Sequence, residues 1–226
     1  MARETLNKQL GQVQDEILIL GSMVEQATLS AINTLKTRDI KVAKTVFEQD
    51  QIINEKRYAI ENAILILIAT QQPMARDLRA LTALLEVNTE LERMGDYAKG
   101  IAKVTIKMGD TDINLPMAEI EKMAELAVSM LHRGLGAFID ENANLAIAIP
   151  KEDDQIDDLF NTAYRKILNE MIANPSSIDN VNLGMWVIHN LERLADRVSN
   201  ICERTVFIAT GELFEMDGMD EDDLNI

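Results

Sequence analysis

Leu91-Glu92-Arg93-Met94-Gly95-Asp96 and Leu191-Glu192-Arg193-Leu194-Ala195-Asp196 are one hexapeptide pattern written twice, one hundred residues apart. That spacing is about the length of a small domain. Each copy holds two carboxylates at i and i+4, positions that share one face of an α-helix. Around the first copy, Leu78, Leu81, Leu85, Leu91, Met94 and Ile101 recur at helical steps. A repeated acidic pair inside a helical stripe predicts two similar helical units that face each other.

The same period extends in both directions. Leu10, Val13, Ile17, Leu20, Val24, Ala27, Ala31 and Leu35 predict a first helix from about Glu4 to Thr37. Val46, Ile53, Ile60, Ile64 and Leu67 predict a second from about Ile40 to Thr70. Pro73 is placed to open the third, which runs to about Lys107 with Gly109 as its C-cap. After a short polar linker, Asp110 to Leu115, the plan starts again. Pro116 opens a fourth helix to about Asp140, a fifth ends near Asn174-Pro175, and Ser176-Ser177 cap a sixth that reaches Gly211. Pro150 falls inside the fifth and predicts a kink or a fresh start there. Short connections force antiparallel neighbours. The chain therefore reads as all-α, two tandem three-helix bundles made by an internal repeat. The units are 1–112 and 113–212, followed by an acidic tail, 213–226, expected to be disordered.

Composition agrees with this and excludes other classes. The chain is 47% hydrophobic but 4% aromatic, which suits helix packing better than a β-sandwich. Its net charge of −16 argues against nucleic acid and against anionic lipid as direct partners. A single cysteine, Cys202, fits a reducing compartment and reads as a small buried hydrophobe. The N-terminus has no apolar signal region, and the run Ala63 to Ala69 is far too short to span a bilayer. A cytoplasmic protein with no direct membrane insertion is expected. Trp186 is expected to pack between helices.

Four polar pairs stand at i, i+4: Asp50/Asn54, Glu92/Asp96, Asp154/Asp158 and Glu192/Asp196. In each half one pair lies on the second helix and one on the third. Carboxylates brought together raise each other's pKa unless a cation or a base intervenes. Oxygen ligands suit Mg²⁺, Ca²⁺, Mn²⁺ or iron, with Zn²⁺ a further option. Alternatively the pairs are solvated faces, with Glu92 and Asp96 offset by Arg93, Lys99 or Lys103. A ferritin-like di-iron centre needs Glu-x-x-His pairs, and neither His132 nor His189 supplies one. No Gly-x-Ser-x-Gly, no base partner for Cys202 and no phosphate-binding Gly-rich loop is present, so no enzymatic activity is expected.

Gln72-Pro73-x-x-x-Asp77-Leu78-Arg79, followed by Leu91-Glu92-Arg93-x-Gly95-Asp96-Tyr97, closely resembles the PhoU family of bacterial phosphate-uptake regulators. The second half agrees through Asp154-x-x-x-Asp158, Leu191-Glu192-Arg193-x-x-Asp196 and Glu203-x-x-Val206. The resemblance implies a six-helix domain of two bundles, often a homodimer. It implies a negative regulator of the phosphate-starvation response that works with the ATPase subunit of the phosphate ABC transporter and a sensor histidine kinase. Some members carry metal clusters, often iron. By resemblance the ligands would be Asp50, Glu92, Asp96, Asp154, Asp158, Glu192 and Asp196, with Asn54 and Asp77 as weaker candidates. Asn54, Gly100, Arg197-Val198 and Pro150 depart from the family pattern, and Arg197 is expected to offset acidic charge in the second half. The alternatives are a metal-binding or metal-storage protein, or a regulator of another ion transporter built on the same bundle.

Overall fold

Where the chain turns is set by local chemistry. Arg38 takes a positive φ of 57° and its guanidinium donates to the carbonyls of Thr111 and Ile113 at 2.8 and 2.9 Å. The next residue, Asp39, accepts from the amides of Lys41 and Val42 at 3.0 Å and so starts a new helix. The computed structural model describes residues 2–109, 111 and 113–213. Among the described residues it contains α-helices and single 3₁₀ turns and no strand. The α-helices are α1 (Ala2–Thr37), α2 (Ile40–Gln71), α3 (Arg76–Met108), α4 (Met117–Ile139), α5 (Ala143–Ala148), α6 (Asp153–Ala173) and α7 (Ile178–Thr210). Gly211 ends α7 in the left-handed conformation, donating its amide to the Phe207 carbonyl.

The expected fifth helix is split. Pro150 cannot donate a backbone hydrogen bond, so α5 stops, residues Pro150–Glu152 make one 3₁₀ turn, and α6 begins at Asp153. Burial still matches α2 to the split pair. Ala43, Val46 and Ile53 are buried in the first half, and Ala146, Ile149 and Ile156 at the same spacing in the second.

The two halves share one hydrophobic core. α3 packs against α1, α2 and α7, while α7 packs against α3, α4, α5 and α6. α1 also meets α4. The centre is therefore a four-helix arrangement of α1, α3, α7 and α4, with α2 and α6 on the outside. Two glycines permit its closest approaches. A Cβ on Gly21 would lie 2.2 Å from Leu135 Cδ1, and one on Gly100 would lie 2.9 Å from Asn190 Nδ2. Equivalent positions meet across the α3–α7 seam: the Arg197 guanidinium donates to the Tyr97 hydroxyl at 3.3 Å and pairs with Glu90 at 3.4 Å.

Three sequence expectations are corrected. Pro73 lies before α3 and not in its first turn, because Ala75 at φ 35° interrupts the helical path. Ser177 precedes α7 without capping it; its hydroxyl donates back to the Asn174 carbonyl. Trp186 does not pack between helices but is 61% exposed. Cys202 is fully buried, and burial pushes its thiol up to about 12. The expected disordered tail lies outside the described residues from position 214 onward.

Candidate functional site

The first acidic cluster is built where α2 crosses α3. Asp50 faces inward from α2 and is buried. A Cβ on Gly95 would come within 3.1 Å of Ile53, so glycine lets α3 approach α2 beside Asp50. Lys99 fills the space with charge. Its ammonium donates to Asp50 Oδ2 at 2.7 Å, lies 3.7 Å from Asp96, and sits 5.5 Å from the Phe47 ring centroid. Asn54 donates to the same Asp50 oxygen at 2.9 Å. The hydrogen bond to Asp50 holds the Lys99 ammonium above its ordinary pKa. Glu92 joins the edge of the cluster. Its carboxyl is pushed up by burial and by Asp96, against the pull of Arg57.

The second cluster has the same frame and different charges. Buried Ile156 stands where Ile53 stands, which makes Asp153 the counterpart of Asp50 and Asp157 that of Asn54. One residue is about 100° of rotation on a helix, so Asp154 and Asp158 stand one register step from Asp153 and Asp157; Asp154, Asp157 and Asp158 are all exposed, and Asp154 still adds to the charge around Asp153. Asp153 is pushed up to about 7, first by burial and then by Asp157, Asp196, Glu192 and Asp154. One of its oxygens is buried without a hydrogen-bond partner. Asp157 is also pushed up, by burial and then by Glu192. Where the first half has Lys99 and Lys103, the second has Ser199 and Glu203. Arg197 does not neutralise this cluster, because its guanidinium crosses to Tyr97 and Glu90 on α3.

The remaining candidates fall elsewhere. Asp77 is at the start of α3, roughly 22 Å along the helix from Glu92, and pairs with Arg3. His189 lies 3.3 Å from Glu192 and its ring is 5.1 Å from that of Phe160. His132 pairs with Glu25 at 3.3 Å. Among the described residues, no three His, Cys, Asp or Glu side chains converge closely enough to hold a metal ion. In the first half an ammonium already stands against Asp50, so that cluster does not fit a resident metal. The second offers an orphaned carboxylate oxygen and an all-oxygen donor set, but its side chains do not meet at one point.

A helical bundle built from two copies of a three-helix plan, with an acidic cluster at the same place in each half, defines a class of repeat proteins. The PhoU domain family model matches residues 17–105 and again 120–205. The chain belongs to the PhoU family. It is 31% identical over 217 residues to the phosphate-specific transport system accessory protein PhoU homolog of Clostridium acetobutylicum, covering 96% of this chain and 99% of that one. It is 30% identical to PhoU of Escherichia coli, over 95% of this chain and 89% of that one. The crystal structure of the phosphate transport system regulatory protein PhoU from Streptococcus pneumoniae superposes with a TM-score of 0.86 at 32% identity. That match covers 93% of this chain and 99% of the other.

Asp153 gives the site a pH signature. A carboxyl whose folded pKa lies above its unfolded value binds its proton more tightly when folded, so folding is favoured at low pH and loses that support as pH rises. The window runs from about 3.8 to about 7. The Asp153→Asn variant removes the charge and keeps the shape. It should melt higher than the parent at pH 7.5, and the gap should shrink toward pH 4. A gap that is the same at both pH values means that folding does not shift the Asp153 pKa.

Proposed function

We propose that this protein is an accessory regulator of phosphate transport that restrains the phosphate-starvation response. In this reading it works in the cytoplasm as a non-enzymatic adaptor between the ATPase subunit of a phosphate ABC transporter and a sensor histidine kinase. The observation that carries it is the near full-length match, on both chains, to phosphate-specific transport system accessory proteins. The fold is compatible: no described helix is long and apolar enough to cross a membrane, and the long outer helices offer surface to protein partners. Deleting the gene should switch on a phosphate-starvation reporter in phosphate-rich medium, and the intact gene should restore repression. A reporter that stays repressed in the deletion strain refutes the reading.

A second reading, that cation binding is part of the function, is favoured by the orphaned oxygen of Asp153 among carboxylates. A divalent cation would offset their repulsion once the side chains rotate onto it. Only the second half qualifies, since Lys99 serves Asp50 in the first. Calorimetric titration with Mn²⁺ should find one site per chain, lost in Asp153→Asn/Asp157→Asn and kept in Glu92→Gln. No heat of binding, or equal loss in both variants, rejects a cation site in the second half.

A further inference from the structure

Between α1 and α2 runs an open apolar groove of about 550 Å³, walled by Leu18, Ile19 and Met23 from α1 and by Val46, Ile52 and Ile53 from α2. Ile19 and Ile52 are 47% and 53% exposed, so neither is needed to seal the core. The second half shows what the same place looks like when closed. Burial aligns Leu20, Val24 and Ala31 of α1 with Ala127, Leu131 and Phe138 of α4. Arg133 and Glu152 then occupy the positions of Gln26 and Gln49, which face the groove in the first half. There the guanidinium of Arg133 bridges to Glu152 by two hydrogen bonds of 2.6 Å. Exposed Glu125 and Gln155 stand where Leu18 and Ile52 stand. One architecture thus folds with this place charged and bridged in one half, and apolar and open in the other.

We propose that the α1–α2 groove docks one helix of a partner protein, presenting an apolar stripe flanked by lysine and arginine. The groove follows α1 from Leu18 to Ser30, roughly 18 Å, which matches about three turns of a docked helix. Charge selects the occupant. No lysine or arginine occurs in α1 from Gln9 to Leu35 or in α2 from Thr45 to Glu55, whereas Asp15, Glu25, Glu48 and Glu55 do. Among the described residues, the only base lining the groove is Lys99, already held by Asp50. A second copy would bring the same acidic rim and another charge of −16. The chain's own end is no better suited, since residues 214–226 carry acids and no base. The described chain also ends near the start of α3, where a Cβ added to Gly211 would lie 3.5 Å from the guanidinium carbon of Arg79. That is roughly 24 Å along α3 from the groove floor at Gly95.

This inference deepens the regulatory reading and rests on it for the existence of a protein partner. Its test contains no transporter, phosphate or reporter and so fails separately from the gene-deletion experiment. The probe is a fluorescein-labelled 18-residue helix of leucine and alanine flanked by lysine and arginine, titrated with the full chain and read by anisotropy. Gln26→Arg/Gln49→Glu, both exposed positions, installs the bridge of the second half. It should weaken binding at least tenfold with unchanged helicity by circular dichroism. Gln49→Glu alone should retain binding, Ile52→Gln should weaken it, and a peptide with glutamate at every basic position should not bind. The proposal is overturned if the double variant binds like the parent, or if the acidic peptide binds equally well. It is also overturned if sedimentation finds a dimer that Ile52→Lys disperses, for then a second copy covers the groove.

Discussion

The packing of α3 against α7 is the constraint on which the rest depends. These helices carry the two copies of the duplicated motif and cross at positions that are equivalent in the repeat, where Tyr97 receives a hydrogen bond from Arg197. Their buried stripes, Leu91, Met94, Ala98 and Ile101 on one and Leu191, Leu194, Val198 and Ile201 on the other, supply the middle of a single core. Each of the leucine, isoleucine, valine and methionine side chains among them contributes on the order of 1.5–3 kcal/mol by leaving water. Gly100 lets the helices close on Asn190. Neither half buries its central helix alone, so the repeat is a repeat of sequence and local structure inside one shared interior.

On that symmetric frame the two halves have diverged in charge. In the first, Lys99 and Asn54 both donate to Asp50, and the buried carboxylate is satisfied from within the chain. In the second, Asp153 is surrounded by Asp157, Asp196, Glu192 and Asp154 and is pushed up to about 7. The outer faces diverge in the opposite sense. The place that is bridged by Arg133 and Glu152 in the second half is an apolar groove in the first. Duplication followed by this kind of exchange gives one protein two non-equivalent surfaces without altering the core that joins them.

Much of the fold was legible because helical period and burial coincide: Val46, Ile53, Ile60, Ile64 and Leu67 are all buried. The break at Pro150 followed from its missing amide. At the site the letters and the burial pattern give two different registers. Asp154-Gln155-Ile156 imitates Asp50-Gln51-Ile52, but the buried isoleucine is Ile53 in one half and Ile156 in the other. Aligning the buried isoleucines instead of the letters points to Asp153 and Asp157. Asp50, Glu92, Asp96, Asp154, Glu192 and Asp196 fell in or beside the clusters, whereas Asp77 went to a separate ion pair with Arg3. That Lys99 would turn toward Asp50, and Arg197 toward α3, depends on tertiary approach and leaves no sequence signal.

The central claim is that the seam makes the two halves one cooperative unit. Hydrogen exchange read by mass spectrometry along a denaturant series tests it directly, because each helix reports its own opening. The account predicts that peptides from α1–α3 and from α4–α7 lose protection at the same denaturant concentration. A range in which residues 2–109 exchange fully while residues 113–213 stay protected, or the reverse, would contradict it.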